Sequence, residues 1–126
     1  MQDFKNLKVW KKSHALTLEV YRETLRFPAE EKYGLVAQIR QAAVSVESNL
    51  AEGTARSGDP EFRRFAFMAL GSACEMECQF ILARDLGQLS GSAFERLNAA
   101  CHEVRKMLWS LIRCLSESSR SSRPRA

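Results

Sequence analysis

A chain of 126 residues with 45% hydrophobic and 27% charged side chains is long enough for one self-sufficient core and too apolar to remain disordered. Its formal charge of +4 comes from 19 basic and 15 acidic residues. Removing Arg120, Arg123, Arg125 and Glu117 of the last eleven positions leaves 16 against 14, so net charge alone does not argue for a polyanion partner. No run approaches the ~20 apolar residues of a membrane span, and the N-terminus MQDFKNLKVW lacks a signal-peptide core, so a cytoplasmic protein with no membrane partner is expected.

The first predicted helix runs from about Asn6 to Arg26 and ends at Phe27-Pro28, because proline disfavours helix in the residue before it. It carries two apolar stripes: Leu7, Trp10, His14, Leu18, Tyr21 and Leu25, expected to face the core, and Val9, Leu16, Val20 and Phe27, expected to meet another subunit. The second helix, Tyr33 to Gly53, has three charges in 21 residues and a polar line of Gln38, Ser45, Asn49 and Glu52. So little charge implies cover on most sides and a buried, hydrogen-bonded line. The third helix opens at Asp59-Pro60-Glu61, with a capping acid and a first-turn proline, and runs to Leu86, where Gly87 takes the left-handed cap. The fourth starts at Ser92, with Glu95 completing a capping box, and ends near Leu115. Short connections then predict an all-α, antiparallel up-down four-helix bundle over residues 1–115 with a flexible Ser/Arg tail, 116–126.

On the third helix, Ser72, Glu75 and Gln79 form a second polar line. An antiparallel register sets Gln38 near Glu75, Asn49 and Glu52 near Arg64, and Gly71 close against Ala42 and Ala43. Facing polar lines either fix register or line a cleft. Trp109 lies on a charged face of the fourth helix, as part of an oligomer interface or under the loop after the second helix. Lys5, Lys8, Lys11, Lys12, Arg22 and Arg26 line the outer face of the first helix, with Arg63 and Arg64 as extensions, and form either a polyanion surface or an ordinary solvated face.

Enzymatic patterns are weak. A di-iron bundle needs Glu-x-x-His pairs, whereas Lys11 precedes His14 and Ala99 precedes His102 at that spacing. Cys74, Cys78, Cys101 and His102 lack the turn chemistry of structural zinc, and the four cysteines, including Cys114, are expected as small core residues. No catalytic residue, metal or cofactor is therefore assigned.

The ordered set Phe4, Leu7, Val9-Trp10, Tyr21, Phe27-Pro28, Glu31, Tyr33-Gly34-Leu35, Gln38, Arg40, Ser45, Asn49 and Ala51-Glu52-Gly53 resembles the four-helix-bundle proteins encoded in ribosomal-RNA intervening sequences. The match continues through Phe65, Gly71-Ser72, Glu75, Glu77 and Leu86-Gly87. The resemblance implies a bacterial, all-helical, non-enzymatic subunit of a ring-like homopentamer. Through the related accessory variability proteins of diversity-generating retroelements, it also implies binding of RNA or a reverse-transcriptase ribonucleoprotein. The alternative is a protein-protein regulatory module with no nucleic-acid role.

Overall fold

Proline and two left-handed glycines place the turns. In the computed structural model, which describes residues 3–121 and their side chains through 116, a 3-10 turn (Phe4–Asn6) leads into α1 (Lys8–Thr24), and a second (Ala29–Glu31) into α2 (Leu35–Ala55). α3 (Asp59–Asp85) and α4 (Gly91–Ser121) follow. Gly58 at φ +86° and Gly87 at φ +76° occupy the region that favours glycine and turn the chain before α3 and after it. Asp59 is the first residue of α3 rather than its cap, and places its charge at the positive end of the helix dipole. Ser90, not Ser92, caps α4: its Oγ accepts from the Ala93 amide at 3.2 Å. α4 continues six residues past the expected end at Leu115. Of the expected tail, residues 122–126 and the side chains from 117 onward lie outside the described residues.

Neighbouring helices run antiparallel. His14 meets Glu47 and Thr24 meets Arg40 between α1 and α2, and Ser45 meets Ser72 while Gly53 meets Phe62 between α2 and α3. Phe67 meets Trp109 and Arg84 meets Phe94 between α3 and α4. α1 and α3 lie diagonally across the four-helix bundle, as do α2 and α4. The core is built from Val20, Ile39, Val46, Leu50, Met76, Phe80, Leu97 and Leu108, all essentially inaccessible.

The two stripes of the first helix exchange much of the role expected of them, although Leu7 and Trp10 still pack partly buried against the core. Val9, Leu16, Val20 and Phe27 are buried within the chain's own core, so they form no surface for a second subunit; Leu18, Tyr21 and Leu25 face outward. The small hydroxyl residues beside the first set explain the choice. Ser13, Thr17 and Thr24 are buried with it, and each donates to the carbonyl four residues back, at 2.7, 2.9 and 2.7 Å, so none is left unsatisfied. Thr17 Oγ1 also reaches the Ala43 carbonyl at 3.3 Å, and its small size lets α1 approach α2 closely.

The close backbone approach belongs to Gly53 rather than Gly71. A Cβ at Gly53 would stand 2.7 Å from Phe62 Cδ1 and 3.1 Å from Phe65 Cβ, while one at Gly71 meets nothing within 4 Å. Gly53→Ala is therefore expected to cost about 1–3 kcal/mol by overpacking. Gly71→Ala, in a helix interior with open space, should gain up to about 1 kcal/mol. Urea unfolding of the two variants checks both signs.

One compositional expectation is also revised. α3 is long and apolar enough to cross a membrane by length and composition, although in the bundle it buries Phe62, Phe65, Ala66, Ala69, Ala73, Met76 and Phe80.

Candidate nucleic-acid interface

Three lysines within the first turns of one helix are brought to a shared wall. Lys8, Lys11 and Lys12 project from the first turns of α1, and with Ala15 they meet Glu103 and Met107 of α4 across a groove with an apolar floor. Lys5 stands just before them, its Nζ 4.0 Å from Asp3. The other predicted cations do not join this cluster. Arg22 and Arg26 sit about 15–25 Å farther along the direction of α1, and Arg26 lies 3.9 Å from Glu23. Arg64 bonds Glu61 at 3.2 and 3.3 Å and covers the Phe65 ring. Arg63 turns the other way, over Phe67 and toward α4.

Antiparallel packing gives these local clusters a larger consequence. One half of the bundle is made by residues 3–15, 46–71 and 106–116, on either side of the Ser45–Ser72 contact. It holds nine basic side chains (Lys5, Lys8, Lys11, Lys12, Arg56, Arg63, Arg64, Lys106 and Arg113) against five acidic (Asp3, Glu47, Glu52, Asp59 and Glu61), a net of +4. The other half, residues 16–45 and 72–105, has seven basic and nine acidic, a net of −2. A body of small net charge thus has its charge separated along its long axis, with the lysines of α1 at the basic end.

The same basic half carries an aromatic pair. Trp109 is 47% and Phe67 39% exposed, and their rings meet edge to face with centroids 6.1 Å apart. Beside them Leu70, Cys74, His102, Arg105, Lys106 and Trp109 line a groove of ≈ 330 Å³ between α3 and α4. Sequence reasoning marked Trp109 beside Arg105 and Arg113 without assigning those cations to a site, and missed Lys106. Their spacing around His102 and Trp109 (102, 105, 106, 109, 113) is the signal, since it places all five along one side of a helix.

The polar lines are shallower than the sequence implies. Ser45 and Ser72 bond across α2 and α3 at 2.8 Å, Asn49 Nδ2 donates to the Ser45 carbonyl at 2.8 Å and to its Oγ at 3.1 Å, and buried Gln79 donates to Glu75 at 3.3 Å. Gln38, Glu52 and Glu75 are exposed, so the full line is not a buried network. Gln38, Gln41, Ser45, Ser72 and Glu75 instead line an open surface groove. Glu52 lies 4.0 Å from Arg56, not beside Arg64, because Arg64 finds an acid one turn away on its own helix.

The cysteines divide. Cys74, Cys78 and Cys114 are exposed, contrary to the core placement expected of them, whereas Cys101 is buried and its Sγ donates to the Ala73 carbonyl at 3.3 Å. Burial, helped by nearby Glu77, pushes the Cys101 thiol up to about 12. Three thiols are therefore expected to react with a disulfide reagent at pH 8 in the native protein and four after denaturation. A fourth native equivalent would contradict the burial of Cys101. Among the described residues no three His, Cys, Asp or Glu side chains converge as metal ligands.

Comparison with known proteins agrees with this architecture. None of the curated proteins compared with the chain matches it. A crystal structure of a protein of unknown function from the S23 ribosomal protein family of Bacteroides thetaiotaomicron superposes with a TM-score of 0.77 over 83% of this chain and 95% of that one. At 21% identity, the likeness is one of fold. The family model described as 23S rRNA-intervening sequence protein matches residues 5–110, nearly the whole bundle, and the chain belongs to that family.

Proposed function

We propose that this protein is a non-enzymatic, cytoplasmic homo-oligomeric scaffold that associates with RNA, or with a ribonucleoprotein enzyme, through its basic half. The observation that carries the reading is the charge separation along the bundle. Nine cations against five acids gather at the end that also holds the lysine groove, and phosphate contacts draw most of their affinity from such fields. The family's description, with its link to ribosomal RNA, supports the same partner class.

Assembly is supported by apolar surface on two different faces. Leu18, Tyr21, Leu25, Tyr33 and Val44 are exposed on the α1–α2 side, and Met68, Ile81, Leu82 and Leu86 on α3. Different patches meeting head to tail generate a ring when the rotation closes, and a homopentamer would repeat the basic half five times around it. Titrating labelled single-stranded RNA in stepped salt tests the reading: affinity is expected to fall steeply and log-linearly with salt. Binding that is absent or indifferent to salt overturns it, and favours a protein-protein module working through the apolar faces.

A further inference from the structure

We infer that the groove between α3 and α4 is a binding site for single-stranded nucleic acid, in which an unpaired base stacks on Trp109 while flanking cations hold the phosphates. The inference rests on the RNA-associating reading above and narrows it from a charged surface to a defined site with strand preference.

An indole left half exposed loses hydrophobic free energy, and here it adjoins a second exposed ring rather than being covered by the loop after α2. Every base has a flat π-face, so the exposed indole, braced by Phe67, is a sequence-tolerant stacking surface. A duplex hides those faces within its own stack and offers only edges and phosphates. The cations around the rings complete the match. Arg63 lies over the Phe67 ring at 4.9 Å, Arg105 and Lys106 line the groove, and Arg113 follows Trp109 by one turn. Arg105 is paired with Glu77, which leaves Lys106 and Arg113 to meet the phosphates. A backbone following α4 along this groove would meet Lys106, the indole of Trp109 and Arg113 in turn, a stacking surface flanked by cations as in single-strand channels.

The reporter is built in, because Trp10→Phe leaves Trp109 as the sole tryptophan. Titration of that full-length variant with a fifteen-nucleotide oligouridylate should quench Trp109 emission and slow labelling of Cys74 on the groove floor. The matching duplex should bind more weakly and quench little. Trp109→Ala is expected to weaken single-strand binding roughly tenfold, the scale of one lost base stack, with the salt slope unchanged and Trp109→Phe restoring most of the affinity. Circular dichroism of each variant verifies folding. RNA binding with no quench and no Trp109→Ala effect overturns the groove while leaving the basic-half reading in place. No binding of any strand overturns both. Trp109 that acrylamide cannot reach in the free oligomer means that a second copy already covers it, and this too overturns the inference.

Discussion

Val20→Asp is expected to abolish folding, while Leu25→Asp leaves a folded bundle. Val20 lies within α1 and Leu25 caps its end, and both belong to apolar stripes, but Val20 is 0% and Leu25 77% accessible. A carboxylate at position 20 would be desolvated among core side chains with no cation to meet it, at a cost of about 4 kcal/mol or more. That is comparable with the whole stability of a domain this size, about 5–15 kcal/mol. At position 25 the same charge stays in water. Its expected effect is confined to assembly, through the α1–α2 apolar face. Circular dichroism melts of the two variants decide the matter: a folded Val20→Asp chain would mean that the Val9, Leu16, Val20 stripe faces outward after all.

The contrast shows where sequence reading succeeds and where it stops. Helix positions follow from local chemistry, since Phe27-Pro28, Asp59-Pro60 and Gly87 act on their immediate neighbours and place the turns to within a few residues. Periodicity likewise finds both stripes of α1, but it cannot rank them by size of side chain. The larger aromatic stripe is split: Leu7 and Trp10 pack partly buried against the core, where Trp10 stacks on His14 at 4.9 Å and His14 bonds Glu47 at 2.8 Å, while Leu18, Tyr21 and Leu25 face outward. The buried stripe is the one whose neighbouring hydroxyls can satisfy themselves on their own helix. Gly53 and Gly71 teach the same lesson, because the composition of α2 and α3 allows a close approach at either and only Phe62 decides between them. The basic half was legible only in part. The lysines of α1 stand together in the sequence, whereas Lys106 and Arg113 reach the same end through antiparallel packing of α4, and Arg22 and Arg26 are carried away from it by helix rise.

Charge reversal of that end gives the second large effect. Lys8→Glu, Lys11→Glu and Lys12→Glu together change the half from net +4 to −2, the value now found at the opposite end. Loss of three phosphate contacts should shallow the single-strand salt slope by about 2 and lower affinity roughly a hundredfold near physiological salt, once repulsion is added. The paired control, Arg22→Glu with Arg26→Glu, alters the same helix in the half that is already acidic and is expected to leave binding within about threefold, because screening confines each charge to roughly 8–10 Å. Anisotropy titrations at two salt concentrations separate the outcomes. Equal losses in the two variants would show that net charge, rather than its separation along the bundle, governs association.

The most direct test of a homo-oligomeric RNA scaffold is light scattering on a sizing column, with nucleic-acid absorbance followed in line. Nuclease-treated protein mixed with a single-stranded RNA in low salt is expected to elute as one species whose protein mass is about five times the 14.3 kDa chain, with the RNA co-eluting and released in high salt. A 14.3 kDa protein peak separate from the RNA in low salt would contradict both the assembly and its partner.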